Sequence, residues 1–177
     1  DMATGQLEVL ANLASDTNLP LNYVNDLDVA PNGDVYFTSS TERGVLWNAR
    51  KGFYDTLHSY LQNLCKGDNT GRLLKYDAST GKTTTLLSGL WYANGVALSA
   101  DFKDVMVVET NLNRVHRYSL TTGRTEVFVD KIPAMPDGIS RAEDGGFWIG
   151  GVVRLSPLPR LLAPYPSLRT VIAHVVG

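Results

Sequence analysis

The amino-acid sequence predicts an all-β protein of the β-propeller class. Residues 71–83 reappear as residues 113–125, so that Gly81 and Gly123, for example, lie 42 residues apart. The repeated segments are short β-branched or aromatic runs bounded by Gly, Asn, Asp or Pro, which is the pattern of strands joined by tight turns. A repeat of about 40–50 residues built from short strands is typical of one propeller blade.

Three motifs mark where equivalent units begin: Asn25-Asp26-Leu27, Asn94-Gly95-Val96 and Asp137-Gly138-Ile139. The second and third begin 43 residues apart and the first and second 69 apart, so the first unit contains an insertion of about 26 residues. The repeat predicts a single partial propeller domain over residues 1–177. Its parts are the end of a blade (1–22), a blade with an insertion at 41–70 (23–90), a second blade (91–132), a half blade (133–151) and a capping excursion (152–177).

Individual strands follow strong turn signals. The runs at 35–38, 105–108 and 147–149 each come directly after a segment rich in Asp, Asn or Gly. The first two runs are nearly continuous in apolar residues, as expected for strands that neighbouring blades cover on both faces.

The insertion carries a helical pattern. Its apolar side chains recur at the spacing of one helix face, at Phe53, Leu57, Tyr60, Leu61 and Leu64. One interpretation is a helix packed against its own blade. The other is a cap over the mouth of the central channel that helps to shape a substrate pocket.

The last segment is rich in proline. Residues 157–166 hold four of the eight prolines and exclude a regular helix there, whereas residues 167–176 fit a short helix. The sequence favours a surface-capping excursion over a membrane contact, although apolar side chains near Arg160 and Arg169 also suit an interface.

The number of blades indicates that the domain is incomplete. A propeller usually needs at least four blades to close, whereas the repeat accounts for about three, and an open arc exposes faces that are normally buried. The chain is therefore either paired with a partner chain or a segment of a longer protein, and we favour the segment. The missing blades of the same protein are then the expected partners of this arc.

Composition excludes several classes of partner. The formal net charge is −2 and no basic stripe is present, so we expect no nucleic-acid partner. The single Cys65 cannot form an internal disulfide, and no apolar run reaches the roughly 18 residues of a membrane span.

A candidate metal site recurs at the start of each unit. Asn25, Asn94 and Asp137 occupy the same place just before the innermost strand, which in a propeller faces the central axis. Carboxylate and amide oxygens suit a hard cation such as Ca²⁺, and a set without Cys or His argues against zinc. The alternative is that these side chains cap their own turns.

Several motifs together resemble the strictosidine synthase-like family, and within it the branch of the adipocyte plasma membrane-associated proteins. They run in order along residues 23–150: Asn25-Asp26-Leu27-Asp28-Val29, Tyr36-Phe37-Thr38, Gly71-Arg72-Leu73-Leu74, Asn94-Gly95-Val96-Ala97-Leu98-Ser99, Val107-Val108-Glu109-Thr110 and Pro136-Asp137-Gly138-Ile139.

The resemblance implies a six-bladed propeller of which this chain is the middle, in a superfamily with paraoxonase and regucalcin. It implies an axial Ca²⁺ held by Asn25, Asn94 and Asp137, and a secretory or endomembrane location through an N-terminal anchor outside this chain. The family usually has Thr-Asp-Ser where this chain has Thr38-Ser39-Ser40. The first-blade acidic ligand and the glutamate that drives alkaloid condensation both fall outside this chain.

Three functions are compatible with this pattern. The leading hypothesis is calcium-assisted hydrolysis of a small-molecule ester or lactone, as in arylesterases, with Asp26 as the candidate base beside a ligand. The second is condensation of an amine with an aldehyde, as in strictosidine synthase. The third is a binding or scaffold propeller without turnover, since propellers support many functions.

Overall fold

Antiparallel sheets make up most of the molecule. The computed structural model describes residues 3–154, 161–162 and 164–176, the last four of them by backbone only. The twelve strands are β1 (Val24–Val29), β2 (Val35–Ser39), β3 (Trp47–Asn48), β4 (Phe53–Tyr54), β5 (Gly71–Asp77), β6 (Lys82–Leu90), β7 (Ala93–Leu98), β8 (Asp104–Glu109), β9 (Arg114–Ser119), β10 (Thr125–Val129), β11 (Ala134–Arg141) and β12 (Phe147–Arg154). Two helices, α1 (Thr56–Lys66) and α2 (Pro166–Val176), and a 3-10 turn (Thr110–Leu112) complete the described elements.

The described strands form two four-stranded sheets and two two-stranded sheets, one of which is the short β3–β4 pair within the insertion. Blade 1 has the order β1-β2-β5-β6, blade 2 has the order β7-β8-β9-β10, and β11 and β12 form a partial blade. The first strand of each sheet lies at its edge, and β7 contacts both β1 and β11. This arrangement confirms the predicted all-β class, the incomplete arc of about three blades and the helical insertion.

The repeat is visible in the outer hairpins of the two complete blades. Gly81 and Gly123 both have left-handed backbone angles, with φ of +66° and +68°. In each hairpin the glycine N–H donates to a carbonyl four residues earlier, at Asp77 and at Ser119, over 2.8 Å. Glycine is favoured at these two positions because it adopts positive φ without a steric penalty.

The apolar core lies between neighbouring sheets. One cluster joins Tyr36, Leu73 and Leu90 of blade 1 to side chains of β7 and β8, and a second joins blade 2 to Ile139 of the partial blade. Residues 105–108 of β8 are buried throughout, as the apolar run predicted. Burying this surface from water is the main force that holds the blades together.

Polar contacts also connect the innermost strands. Asp26 and Asp28 of β1 accept hydrogen bonds from the backbone N–H groups of Val96 (3.0 Å) and Leu98 (2.8 Å) on β7. The next junction is closer, because a Cβ at Gly95 would lie 2.5 Å from the carbonyl oxygen of Asp137. Carboxylates of β1 therefore connect the innermost strands at the first junction, whereas at the second junction the backbones of the two strands lie directly against each other.

The structure corrects the predicted insertion in two respects. Phe53 is not on the helix but pairs with Asn48 in the short β3–β4 hairpin, and the helix begins only after the N-cap Asp55. The face that α1 buries is polar, with Ser59 and Asn63, whereas Leu57 is 61% exposed. Asn63 is satisfied there by donating to Asp68 and accepting from the Asn111 amide.

The end of the chain also differs from the prediction. β12 continues to Arg154, so Val152 and Val153 belong to the partial blade and not to a capping excursion. A helix at the predicted place, Pro166–Val176, contacts α1. Residues 155–160, which include two of the prolines, lie outside the described part of the chain. Among the described residues no helix has both the length and the apolar character that crossing a membrane requires.

Candidate metal centre and substrate cavity

An open cavity of about 510 Å³ lies where the inner ends of three sheets meet α1. Each sheet contributes side chains from its first strand or from the residue before it, and α1 contributes its first two turns. The residues around it are Tyr23, Val24, Asn25, Thr56, Leu57, Tyr60, Tyr92, Asn94, Thr110, Met135, Asp137, Val152 and Val153. The position of α1 agrees with the interpretation of the insertion as part of a pocket wall.

Asn25, Asn94 and Asp137 all line this cavity, one from each sheet. Asn25 is exposed to it, Asp137 is half-buried, and Asn94 is 6% exposed. The structure therefore brings together the three side chains that occupy the same place in the sequence repeat. Convergence of oxygen-bearing groups from separate strands is the arrangement that a hard cation requires.

Hydrogen bonds fix how the two amides are oriented. Asn25 donates through Nδ2 to the Ser40 hydroxyl (2.9 Å), and Asn94 donates through Nδ2 to the Thr110 hydroxyl (3.1 Å). Ser40 and Thr110 are themselves equivalent, since each directly follows the second strand of its blade. With both nitrogens engaged in this way, the carbonyl oxygens remain available as acceptors or cation ligands.

Hydroxyl groups also hold the backbone next to the candidate ligands. Thr110 donates to the carbonyl of Pro136 (2.8 Å), the residue before Asp137, and Thr38 donates to the carbonyl of Asn94 itself (2.6 Å). Each bond runs from one blade to the next. The relative positions of Asn94 and Asp137 therefore depend on contacts between blades.

This donor set fits a hard cation. It offers one carboxylate and two amide oxygens, which is the ligand chemistry of Ca²⁺. No three His, Cys, Asp or Glu side chains converge anywhere in the part of the chain that the structure describes, so a soft or zinc-type centre has no support there.

Asp26, the candidate base, is not in the cavity. One of its carboxylate oxygens accepts the Val96 N–H at 3.0 Å, and the other accepts the N–H of Leu27 at 2.9 Å. The preceding side chain, Asn25, points to the cavity, and successive side chains of a strand point to opposite sides. Asp26 therefore bridges the first two blades, and its geometry does not support a role as base.

Three tyrosines form an aromatic wall that the sequence interpretation missed. The Tyr92 hydroxyl donates to the Tyr23 hydroxyl (2.9 Å), and the Tyr92 ring makes edge-to-face contacts with Tyr23 and Tyr60. The repeat contained the signal: Tyr23 and Tyr92 each lie two residues before a candidate ligand, and so does Met135 before Asp137. All four side chains line the cavity.

Burial widens the pH range over which two of these phenols stay neutral. It raises the pKa of Tyr60 to about 12. Burial, together with the bond to Tyr23, also raises the pKa of Tyr92 far above its usual range. At neutral pH they are hydrogen-bonding groups rather than bases.

Glu109 belongs to a buried network beside the cavity. It is 1% exposed and its carboxylate accepts hydrogen bonds from Arg114 Nε (2.6 Å) and the Trp91 N–H (2.7 Å), and it pairs with His116 Nε2 (2.7 Å). Although burial alone raises the pKa of a carboxyl group, these partners lower the pKa of Glu109 below its usual value. These contacts make Glu109 a structural group.

Part of this cavity lies within a match to a known family. The profile of the Strictosidine synthase family matches residues 25–123, which contain the first two candidate ligands. The chain belongs to the strictosidine synthase family. Adipocyte plasma membrane-associated protein from Salmo salar is 39% identical over 142 residues, covering 77% of this chain and 32% of that protein. Protein STRICTOSIDINE SYNTHASE-LIKE 2 from Arabidopsis thaliana is 39% identical over 147 residues, covering 78% of this chain and 36% of that protein. This member of the strictosidine synthase family thus spans about a third of the length of the curated relatives it matches.

Solved structures of propeller type are similar in fold. A gluconolactonase from Xanthomonas campestris superposes with a TM-score of 0.61 at 19% identity, covering 84% of this chain and 47% of that one. A calcium-binding protein, regucalcin, from Agrobacterium tumefaciens superposes with a TM-score of 0.58 at 24% identity, covering 85% of this chain and 45% of that one. At these identities the similarity establishes the fold of this family member alone.

Proposed function

We propose that the protein is a calcium-dependent hydrolase of small esters or lactones. The observation that carries the proposal is that three sheets each direct one oxygen-bearing side chain, Asn25, Asn94 or Asp137, into one cavity. The names of two structural neighbours, a gluconolactonase and a calcium-binding regucalcin, motivate the choice of reaction and of ion.

Asn25, Asn94 and Asp137 would hold the ion. Ca²⁺ takes roughly six to eight oxygen ligands, so these three leave about three to five positions for waters, substrate and residues of further blades. When bound, such an ion supplies Lewis-acid polarisation of a carbonyl oxygen. Ser40 and Thr110 keep the two amide oxygens turned toward the cavity and so act as positioning residues.

The aromatic wall supports a substrate with an apolar body and a polar acyl group. Tyr60, Tyr92 and Leu57 offer apolar surface on one side of the cavity. The Tyr23 hydroxyl accepts the bond from Tyr92, which leaves its own proton free to donate to a substrate oxygen. A neutral donor placed near an acyl oxygen stabilises negative charge that develops there.

The experiment compares Asn25→Ala with Asn22→Ala in the natural protein that carries this chain. Asn25 is an exposed cavity residue, so its truncation disturbs packing little. Asn22 makes a similar bond from Nδ2, to the carbonyl of Glu42 (2.8 Å), but does not line the cavity. Calcium affinity is measured by titration calorimetry, and turnover is measured with aryl esters and with γ- and δ-lactones.

We expect Asn25→Ala to weaken calcium binding by about tenfold or more, since the loss of a mere outer-shell partner already costs about 10–100-fold. Turnover should fall in parallel, and Asn22→Ala should match the wild type. Unchanged calcium affinity in Asn25→Ala would reject the metal centre. If the protein binds calcium and hydrolyses none of these substrates, but condenses an arylethylamine with an aldehyde, the proposed hydrolysis would be replaced by the condensation reaction. If calcium raises the stability of the protein and neither reaction occurs, the protein would be a binding module without catalytic activity.

A further inference from the structure

Blades 1 and 2 have an arginine at the same position of the repeat but surround it differently. Arg72 on β5 and Arg114 on β9 lie 42 residues apart in the repeat. Each arginine is paired in register with the last residue of the second strand of its blade, Arg72 with Ser39 on β2 and Arg114 with Glu109 on β8. Residues that face each other across an antiparallel pair have Cβ atoms about 4.5–5.5 Å apart. The acid of blade 2 is therefore replaced by a serine in blade 1.

In blade 2 the positive charge has an internal partner. Arg114, whose side chain is 31% exposed, donates from Nε to Glu109 at 2.6 Å. The buried carboxylate is fully used by this bond, by His116 and by the Trp91 backbone. Blade 2 thus balances the charge of its arginine with an acid from the neighbouring strand.

In blade 1 the arginine is more deeply buried, and no acid among the described residues forms an ion pair with it. Arg72 is 3% exposed, and within the described part of the chain its guanidinium hydrogen-bonds from Nη2 to the carbonyl of Pro20 (2.7 Å). Its Nε and Nη1, and the hydroxyl of the fully buried Ser39, have no hydrogen-bond partner among the described residues. Three polar donors are therefore grouped at one buried place.

Such an arrangement is costly unless an anion completes it. A guanidinium group stays charged in proteins, and a buried charge without a counter-charge destabilises the fold strongly. Burial lowers the pKa of Arg72, and Glu42 and Asp16 oppose this effect only through space, without contacting it. The chemistry of the group, one cation and one hydroxyl, favours a small monovalent anion over a cation or a neutral ligand.

We propose that blade 1 contains a binding site for a small monovalent anion such as chloride, held by Arg72 and Ser39. The site lies on the face of blade 1 that packs against Ala14 and Leu21 of the N-terminal segment. The bound anion takes the electrostatic place that Glu109 fills in blade 2. It is separate from the cavity, because neither Arg72 nor Ser39 lines it.

The test is the chloride dependence of thermal unfolding in the natural protein that carries this chain. Chloride is exchanged for isethionate, a much larger monovalent anion, at constant ionic strength. A ligand that binds only the folded state raises the stability of the protein as the ligand concentration increases. We therefore expect Tm to be about 2–5 °C higher in chloride than in isethionate. Above the dissociation constant, Tm should increase only with the logarithm of the chloride concentration. A bromide-soaked crystal should show an anomalous peak beside the Arg72 guanidinium.

Two variants at one position distinguish a bound anion from solvation of Arg72 by water. Ser39→Asp supplies an internal carboxylate, as in blade 2, and should abolish the chloride dependence while retaining the folded state. Ser39→Ala keeps the arginine but removes one of the donors, so it should weaken the chloride dependence without abolishing it. Should Ser39→Asp fail to fold, the bromide peak in the wild type still decides the question.

Two results would overturn the proposal. Equal Tm values in chloride and isethionate, with no bromide peak, would mean that water alone solvates Arg72. A wild type without chloride dependence, together with a Ser39→Asp variant that is less stable than the wild type, would mean that a carboxylate from another segment already pairs with Arg72.

Discussion

At the scale of single residues, two hydroxyl groups determine what the candidate ligands can do. An asparagine side chain presents either an oxygen or two N–H donors, and only the oxygen serves a cation. Ser40 and Thr110 accept from the amide nitrogens of Asn25 and Asn94 and thereby select the useful orientation. These candidate ligands were readable from the sequence because they recur at blade starts. The hydroxyls were not singled out, because serine and threonine are common after strands for many other reasons.

The Ser40→Ala variant should lose this control of orientation. Removing the hydroxyl frees the Asn25 amide to rotate, so we expect calcium affinity to fall on the order of tenfold. The change in unfolding free energy should stay at about 0.5–1.5 kcal/mol, the usual value of one hydrogen bond. Calcium titration of Ser40→Ala against Ser88→Ala, an exposed serine on β6, provides the measurement. Equal affinities in these two variants would contradict the role given to Ser40.

At the scale of elements, the junction between β7 and β11 determines whether the candidate site assembles. Gly95 permits this junction, since a Cβ there would lie 2.5 Å from the Asp137 carbonyl oxygen and 2.6 Å from the Ile139 backbone nitrogen. Both atoms are backbone, so they cannot move aside as a flexible side chain does. The glycine therefore controls the distance between the strands that carry Asn94 and Asp137.

We accordingly expect Gly95→Ala to lower stability by about 1–3 kcal/mol, the usual cost of overpacking. It should also weaken calcium binding, because the new methyl group pushes β11 away from β7. Gly138→Ala is the matched control, because its Cβ would meet no atom within 4 Å. Urea unfolding and calcium titration of both variants test this. If Gly95→Ala is as stable as Gly138→Ala, β11 can shift away from β7 at little cost in free energy, contrary to this expectation.

The elements also show where sequence interpretation succeeds and where it stops. β2, β8 and β12 were predictable because each continues an apolar run after a turn signal that recurs in every blade. The β3–β4 hairpin was missed, because two-residue strands are too short to show an alternating pattern. The polar buried face of α1 was missed for another reason. Asn63 is buried only because Asp68 and Asn111 satisfy it, and pairings between distant residues leave no periodic signal.

At the scale of the whole molecule, the described sheets cover only part of a ring. Blade 2 is covered on both faces, whereas the partial blade leaves Trp148, Val152 and Val153 exposed. Large apolar side chains exposed on a blade are normally covered by another unit in propellers. The arc was predictable from the count of repeats, but the sequence of one arc carries no information about the blades that would close it.

The intact mass of the native protein tests this interpretation. The matched relatives are roughly three times as long as the part of them that this chain covers. If further blades close the ring, the native protein should have at least about twice the 19.3 kDa of this chain. Mass spectrometry of protein isolated from its source gives the answer directly. A native mass of 19.3 kDa would leave the candidate site without additional ligands from the same chain.

The two parts of the cavity wall come from different kinds of segment in the sequence. Its ligands come from the repeating unit, whereas Thr56, Leu57 and Tyr60 come from the segment inserted between β2 and β5. Tyr60 reaches across to Met135 of the third sheet with its hydroxyl 3.7 Å from the sulfur, without belonging to any sheet. Divergence can therefore alter the length or side chains of the insertion without disturbing the repeat. We expect paralogues to retain the same ion chemistry and to differ in the molecules that they admit.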